Sequence, residues 1–292
     1  MNKQKLGISV GNHYAVPATE IIKMVKDTGF DAVSPEWAPD IHLEAIADTA
    51  ANCGMALQSL HAPIGGSADM WSKNRTASEH ALAELLTSLE DCRRYSIPIL
   101  VAHAWIGFES NPAPTDEGLA NYGRLVDKAH QYGIKIAFEN TEGEEHLFAL
   151  MDHFKNDPTV GFCWDSGHEM CYNHSKDLLK KYGDRLLMTH LNDNLGISRF
   201  DGKIFWTDDL HLLPFDGVAD WAYNIERLKK TAIPEFLNFE LRIESKPGRH
   251  ENDGYAAMPY EQYFAEAYKR ACKIAYRMHE DKTQTEKGSK AV

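Results

Sequence analysis

The feature that most constrains this chain is a regular alternation of short apolar runs with segments of helical periodicity. Each run is rich in aliphatic and β-branched residues, the composition of buried parallel strands. The eight runs cover residues 5–11, 30–37, 55–63, 98–104, 134–140, 160–168, 186–193 and 235–242. The intervening segments place apolar residues at i, i+3 and i+4, which is the spacing of an amphipathic helix. The clearest of these segments, together with the one after the last run, are residues 20–29, 42–54, 78–95, 118–133 and 261–280.

Eight strand–helix units in a chain of 292 residues match the size of a TIM barrel. We therefore predict an α/β fold with a single (β/α)8 barrel over residues 1–280 and a flexible polar tail over 281–292. Gly29, Gly54 and Gly133 stand just before the next strand, where a left-handed residue stops a helix. The competing fold is an open doubly wound sheet. Its dinucleotide-binding form needs a GxGxxG turn after the first strand, and this chain has none there.

Composition narrows the class of partner. The formal net charge is -12, from 43 acidic and 31 basic side chains. Such a surface repels phosphodiester backbones, which predicts no nucleic-acid partner. The five cysteines include no CxxC pair, which favours a reducing compartment. The N-terminus does not resemble a signal peptide and no apolar run approaches the ~20 residues that span a bilayer. We expect a cytoplasmic protein without a membrane partner, and exposed barrel helices make a homo-oligomer one expectation.

Ionisable residues cluster where the predicted strands end, and TIM barrels build their active sites at that end. A single histidine in such a position is more often structural, but several carboxylates together are harder to explain. Glu139, Asp165 and Glu240 each follow apolar strand residues, which predicts that they are buried at the mouth of the barrel. Three carboxylates that converge there would repel one another without a positive charge between them. Neighbouring strands lie ~4.8 Å apart, close enough for their side chains to share one cation. These three residues and His190 therefore predict a divalent metal site.

Five motifs resemble the sugar isomerase/epimerase family of xylose-isomerase-like barrels, which also contains the endonuclease IV branch. They are FENTEG, WDSGH, HLND, DDLHLLP and FELR, in the family's order between residues 138 and 242, and the similarity as a whole covers nearly the whole chain. The resemblance implies that Glu139, Asp165, His190 and Glu240 bind the metal and that His168 meets the substrate. It favours Mn²⁺, with Mg²⁺, Co²⁺ or Zn²⁺ as alternatives for such a ligand set.

The endonuclease branch of this family binds additional zinc ions, and this chain has counterparts of those ligands. They are His61, His103, Asp209 and His211. The isomerase branch uses similar residues to hold sugar hydroxyls, so both interpretations stay open. Two departures concern the substrate: Phe215 replaces the first glycine of the family's PGEG, and Gly196 stands where ketohexose epimerases carry an arginine.

The function that these features predict is a metal-dependent isomerase or epimerase of a small carbohydrate, either a sugar or a sugar phosphate. It would transfer a proton alpha to a carbonyl through a metal-bound enediolate, with Glu139 and Glu240 as the catalytic bases on opposite faces. His168 would hydrogen-bond the oxygen on which negative charge develops. The alternatives are an endonuclease IV-like multi-zinc phosphodiester hydrolase and a dehydratase of an inositol-like ketone.

Further substrate-binding candidates lie in the loops after the strands. Tryptophans there can pack against a sugar ring, and Arg242, on the strand face of Glu240, can anchor a carboxylate or phosphate or neutralise the acidic mouth. Trp164 alternates with Asp165 and is predicted to pack outward against the helices. The complete predicted substrate-binding set is His168, His61, His103, Asp209, His211, Arg242, Trp105, Trp37, Glu36 and His13.

Overall fold

The structure is a computed structural model that describes residues 4–11, 14–109 and 112–279. His13 and the predicted tail 281–292 lie outside these residues, so the expectations for them stay predictions. The strands are β1 (Lys5–Val10), β2 (Ala32–Pro35), β3 (Ala56–Leu57), β4 (Leu60–His61), β5 (Ile99–His103), β6 (Lys135–Glu139), β7 (Val160–Asp165), β8 (Leu186–His190) and β9 (Phe236–Phe239).

Helices follow the strands around the outside of the barrel. They are α1 (Ala18–Thr28), α2 (Leu43–Asn52), α3 (Arg75–Arg94), α4 (Asp116–Tyr132), α5 (Glu144–His153), α6 (Ser166–Cys171), α7 (Leu178–Tyr182), α8 (Trp221–Leu228), α9 (Asp253–Ala256) and α10 (Tyr260–His279). Short 3-10 helices occupy Asp69–Trp71, Gly183–Arg185 and Trp206–Asp208. None of the helices in the described ranges has the length and apolar character needed to cross a membrane.

All named strands pair in parallel and form two curved sheets, in the orders β3-β2-β1-β9 and β4-β5-β6-β7-β8. Two single parallel bridges join the sheets, one between Glu36 and His61 and one between Leu191 and Phe239. These bridges close the ring, so the predicted (β/α)8 barrel is confirmed. Closure removes both sheet edges and brings the carboxyl ends of all strands to one mouth.

The third predicted strand, 55–63, is divided. Its first part, β3, pairs with β2, and its second part, β4, pairs with β5, so the chain changes sheets between them. The two residues at this change, Gln58 and Ser59, are buried and donate side-chain hydrogen bonds to Asn238 and Ser34. The inside of the barrel therefore contains a polar layer that links the two sides of the division.

Two local signals set the ends of elements. The predicted strand 160–168 is too long, because the Asp165 side chain accepts the backbone N–H of His168 at 2.6 Å and starts α6 immediately after β7. Gly29 and Gly133 end α1 and α4 with φ of 114° and 69°, as the left-handed stop predicts. Trp164 is fully buried and donates its indole N–H to Glu169 of α6, so it belongs to the core as predicted.

Candidate metal centre and adjoining cavity

Four side chains meet at the mouth of the barrel. Glu139, Asp165 and His190 are the last residues of β6, β7 and β8, and Glu240 directly follows β9. One ligand atom from each lies within 4.8 Å of the others, and all four residues are buried. Parallel strands that end at the same height account for this convergence, since their carboxyl ends point to one side of the barrel.

The Nδ1 atom of His190 lies between two carboxylates, 3.0 Å from Oε1 of Glu139 and 3.1 Å from Oε2 of Glu240. Burial opposes the protonated ring, but the thiol of Cys163 and the two carboxylates outweigh it and raise the pKa of His190 well above 6.5. Burial likewise acts to raise the pKa of Glu139, yet the surrounding histidines hold it well below 4.5. The raised pKa of His190 thus favours a positively charged ring between the carboxylates of Glu139 and Glu240.

Neighbouring groups hold Asp165 rigidly. One of its oxygens caps α6 through His168, and the other accepts the side-chain N–H of Asn192 at 2.9 Å. Asn140 bonds the backbone of Asp165 through both its oxygen and its nitrogen. Burial raises the pKa of Asp165 to about 6, with Glu139 adding to the shift and His168 opposing it. A carboxylate that costs this much to ionise without a counterion is suited to a cation.

Three histidines beside these four residues share one hydrogen-bond arrangement. In each, Nδ1 faces a backbone carbonyl and is the donor of the neutral ring. The pairs are His61 with Ala62 (2.8 Å), His168 with Asn140 (3.0 Å) and His211 with Glu240 (3.1 Å). Each Nε2 then faces a carboxylate: Glu139 for His61 (3.2 Å), and Asp209 for His168 (3.3 Å) and His211 (2.8 Å). Burial opposes protonation of these rings, but the carboxylates outweigh it and raise the pKa of all three.

This chemistry fits a divalent metal. A lone pair of a neutral imidazole that faces a carboxylate needs a proton or a metal ion between them, and metal-binding histidines characteristically donate their other nitrogen to a carbonyl. Three buried carboxylates and an imidazole in one cluster form a donor set that suits Mn²⁺, Mg²⁺, Co²⁺ or Zn²⁺. Two flanking triads also have metal-binding proximity, namely His61, His103 and Glu139, and His168, Asp209 and His211.

A cavity of about 390 Å³ adjoins the centre, a size that suits a small molecule. It brings together eight of the ten predicted substrate-binding residues. These are Glu36, Trp37, His61, His103, His168, Asp209, His211 and Arg242. Glu240 also lines the cavity, whereas Glu139 has no exposed surface. The two carboxylates predicted to be catalytic are therefore not equivalent in access.

The structure does not bring Trp105 to this cavity, which corrects the prediction for that residue. Its ring is stacked on His146 with a centroid distance of 4.3 Å, and it is 5% exposed. Packing against the start of α5 explains the position, because His146 lies on that helix. The structure places Trp71 in the same aromatic cluster, with its ring centroid 4.7 Å from that of His146.

Sequence reasoning missed Lys246, which lines the cavity beside Arg242. Its ammonium lies 3.3 Å from Asp209 and 5.6 Å from the centre of the Trp206 ring. The only sequence signal is its place in the loop after the last strand, which does not distinguish it from other loop lysines. Asn140 and Asn192 were missed as well, although each stands one or two residues after a predicted ligand.

Comparisons with known proteins agree with this fold. The family model for xylose isomerase-like TIM barrels matches residues 22–259. The chain belongs to that family. An uncharacterized protein of Sinorhizobium fredii (strain NBRC 101917 / NGR234) is 32% identical over 148 residues, which are 47% of this chain and 44% of that protein. The chain thus matches less than half of that relative's length.

Solved structures of the same fold include the IolI protein with a zinc atom, at 16% identity and a TM-score of 0.73 over 94% of this chain and 99% of that one. An L-ribulose 3-epimerase has 12% identity and a TM-score of 0.71 over 100% and 99%. A D-psicose 3-epimerase of Clostridium cellulolyticum H10, solved with D-tagatose, has 13% identity and a TM-score of 0.68 over 94% and 99%. At these identities the likeness establishes the fold.

Proposed function

We propose that this protein is a metal-dependent isomerase or epimerase of a small carbohydrate, which moves a proton at a carbon next to a carbonyl. The observation that carries this proposal is the pair of carboxylates at His190. Glu139 and Glu240 both approach its Nδ1, at 3.0 and 3.1 Å, beside a cavity of small-molecule size. Two carboxylates at one reacting centre can remove a proton and return it. Relatives of the same fold include sugar epimerases.

Each residue of the centre has a proposed task. A divalent ion held by Glu139, Asp165, His190 and Glu240, with Mn²⁺ as our first choice, would supply Lewis acidity that makes the proton next to the carbonyl easier to remove. Glu240 lines the cavity, so its carboxylate would exchange a proton with the substrate directly. Glu139 is fully buried, and its Oε2 lies 3.2 Å from Nε2 of His61 on the cavity wall, so its carboxylate would handle the second proton at that face.

His168 has the position of an electrostatic partner for the reacting oxygen. It lines the cavity, and its ring is held between the carbonyl of Asn140 and the carboxylate of Asp209. Nε2 of the protonated ring, which the raised pKa of His168 favours, would donate to the substrate oxygen on which negative charge develops, and a donor that is already oriented needs no reorganisation during the reaction.

The test is proton exchange in D₂O with the Mn²⁺-loaded protein and a panel of ketoses and aldoses. We expect deuterium to enter the substrate next to the carbonyl, and Glu240→Gln and Glu139→Gln each to lower that rate by about 100-fold or more. Because both residues are also proposed ligands, rates are expressed per bound metal ion. Glu244→Gln is the matched control, since Glu244 is exposed four residues further on.

Retention of most of the exchange rate in both glutamine variants would contradict the proposal. Loss of water after deuterium entry would instead identify a dehydratase of an inositol-like ketone, which begins with the same proton removal.

A second candidate, a multi-zinc phosphodiester hydrolase, is favoured by one observation. The oxygens of Glu139 face two different groups: Oε1 faces His190 and His168, and Oε2 faces His61 and His103. This arrangement could hold more than one divalent ion. The net charge of -12 opposes a DNA substrate. Metal counting distinguishes the candidates: one ion per chain with deuterium exchange supports the isomerase, whereas two or three zinc ions with cleavage of abasic DNA support the hydrolase.

A further inference from the structure

Two cationic side chains, Arg242 and Lys246, line the cavity beside the metal centre. Protonated lysine and arginine side chains are donors without an acceptor lone pair, so neither residue is suited to hold a metal ion. The chain carries 43 acidic and 31 basic residues, so two cations on the wall of one small cavity run against the charge of the whole molecule. Their position calls for an explanation beyond surface solubility.

Lys246 is mostly buried, with 11% of its side chain exposed. Its ammonium lies 3.3 Å from Oδ2 of Asp209 and over the ring of Trp206. An ammonium has three N–H donors. Within the ranges that the structure describes, Asp209 is the hydrogen-bond acceptor that Nζ reaches, so donors remain for a ligand in the cavity.

Lys246 is not the only group that can balance the negative charge of Asp209 among the residues that the structure describes. The same carboxylate lies 2.8 Å from Nε2 of His211 and 3.3 Å from Nε2 of His168. It therefore has two other partners at the metal-facing side. Arg242 offers a planar fork of donors, which suits the two oxygens of a carboxylate or a phosphate better than a single hydroxyl.

We propose, building on the isomerase or epimerase function above, that the substrate carries an anionic group, a carboxylate or a phosphate, which Arg242 and Lys246 bind. The reacting carbons would then lie at Glu240 and His168, which line the same cavity. Apolar side chains on the rest of the wall pack against the carbon chain between the two ends. These side chains are Trp37, Pro39, Pro63 and Ile64. The substrate class is thus a sugar acid or a sugar phosphate, and not a neutral sugar.

The test is binding of three non-reacting probes to the Mn²⁺-loaded protein by calorimetry: D-arabinitol, D-arabinitol 5-phosphate and D-arabinonate. We expect at least one anionic probe to bind ten times more tightly than D-arabinitol or better. Arg242→Gln and Lys246→Gln should each weaken that anionic probe about tenfold to a hundredfold, as expected for a lost charge-assisted hydrogen bond. Binding of D-arabinitol should change less than twofold.

Lys230→Gln is the matched control, because Lys230 is exposed before β9, at the other end of the barrel, and the substitution removes the same charge. It should leave all three affinities unchanged. The better of the two anionic probes identifies the group as phosphate or carboxylate. Circular dichroism and melting curves confirm that the variants are folded.

Three results would overturn the inference. The first is that neither anionic probe binds more tightly than D-arabinitol. The second is undiminished anionic binding in both Arg242→Gln and Lys246→Gln. The third is anionic binding that only Glu240→Gln abolishes, since that indicates direct chelation of the metal. Probe binding requires no turnover. An absence of deuterium exchange with every sugar would therefore overturn the proposed reaction, whereas the probe affinities would still test whether Arg242 and Lys246 bind an anionic group.

Discussion

At the scale of single residues, the histidines of this site are oriented before any ligand arrives. In His61, His168 and His211, Nδ1 donates to a backbone carbonyl and Nε2 faces a carboxylate. These backbone carbonyls fix the neutral rings in the Nδ1–H tautomer, whereas a histidine in solution has no such fixed partner. Fixed orientation lowers the entropy that metal or substrate binding must otherwise remove.

Two of the candidate ligands, His190 and Asp165, make metal binding dependent on pH. In the metal-free protein the pKa of His190 is raised well above 6.5 and that of Asp165 to about 6, so the ring is protonated at pH 7. A metal ion needs the lone pair and must displace this proton. Affinity for Mn²⁺ should therefore rise as the pH rises through the pKa of His190. Below pH 7 the affinity should fall further, because Asp165 takes up a proton near pH 6.

Titration calorimetry at pH 7 in two buffers of different ionisation enthalpy measures this release. The observed heat of Mn²⁺ binding should differ between the buffers by about one proton's worth of buffer ionisation per ion bound. Equal heats in both buffers would show that the ligands are already deprotonated and that the prediction is wrong.

At the scale of elements, helix α4 is fastened to the loop after the third barrel strand by a close approach. A Cβ atom added to Gly118 would lie 2.0 Å from the ring of Trp71. That ring is 3% exposed and donates its indole N–H to the carbonyl of Ala104 at 2.7 Å, so it is not free to move. Gly118 therefore sets the distance between α4 and the 3-10 helix Asp69–Trp71.

Two glycine substitutions on α4 should consequently have opposite effects. Gly118→Ala should destabilise the protein by about 1–3 kcal/mol through overpacking against Trp71. Gly123→Ala, on the same helix with open space around its Cβ position, should stabilise it by roughly 0.4–1 kcal/mol because alanine costs less entropy in a helix. Urea unfolding curves measure both, and a similar change in the two variants would refute the steric account.

Local sequence patterns predicted these elements well where one pattern determined them. Gly29 and Gly133 ended their helices where expected, because a left-handed residue acts within one turn. The ends of β7 and β4 were less predictable. Asp165 starts a helix inside an apolar run, and the split third strand depends on partners such as Asn238, which lies far away in sequence.

In the site, too, the positions that depend on nearby sequence were predictable, whereas those that depend on distant contacts were not. The geometric convergence of Glu139, Asp165 and His190 follows from their places at strand ends. Trp105 also follows a strand, but its ring packs against His146 of α5, the second helix after that strand, a contact that strand position does not reveal. Lys246 reaches the cavity from a loop, and loop conformation has no periodicity that a sequence pattern could report.

At the scale of the whole molecule, the candidate metal centre spans both sheets of the barrel. Glu139, Asp165 and His190 end strands of the five-stranded sheet, whereas Glu240 follows β9 of the four-stranded sheet. Near this centre the sheets are joined by the bridge of Leu191 and by its backbone hydrogen bonds to the strand β9 region. An ion bound by all four residues would connect the sheets across that junction.

Metal binding should therefore stabilise one junction more than the other. At free Mn²⁺ of 100 times Kd we expect about 2.7 kcal/mol of added stability. Hydrogen exchange should slow at the amides of Leu191 and Glu240, which bond across the junction, more than at Trp37, which bonds across the other junction to His61.

Glu240→Gln is the control for this effect and should lose most of the added stability. Equal protection of both junctions would indicate that the metal acts on the barrel as a whole and does not tie these two sheets together.

The pairing of β1 with β9 has a consequence for how such a chain is made. Lys5 lies opposite Phe236, so the first strand has no partner on that side until Phe236, far away in sequence, has been synthesised. Glu240 emerges just after that partner. A nascent chain thus completes the four candidate metal ligands and closes its barrel at nearly the same moment, and a product that stops before this point lacks both.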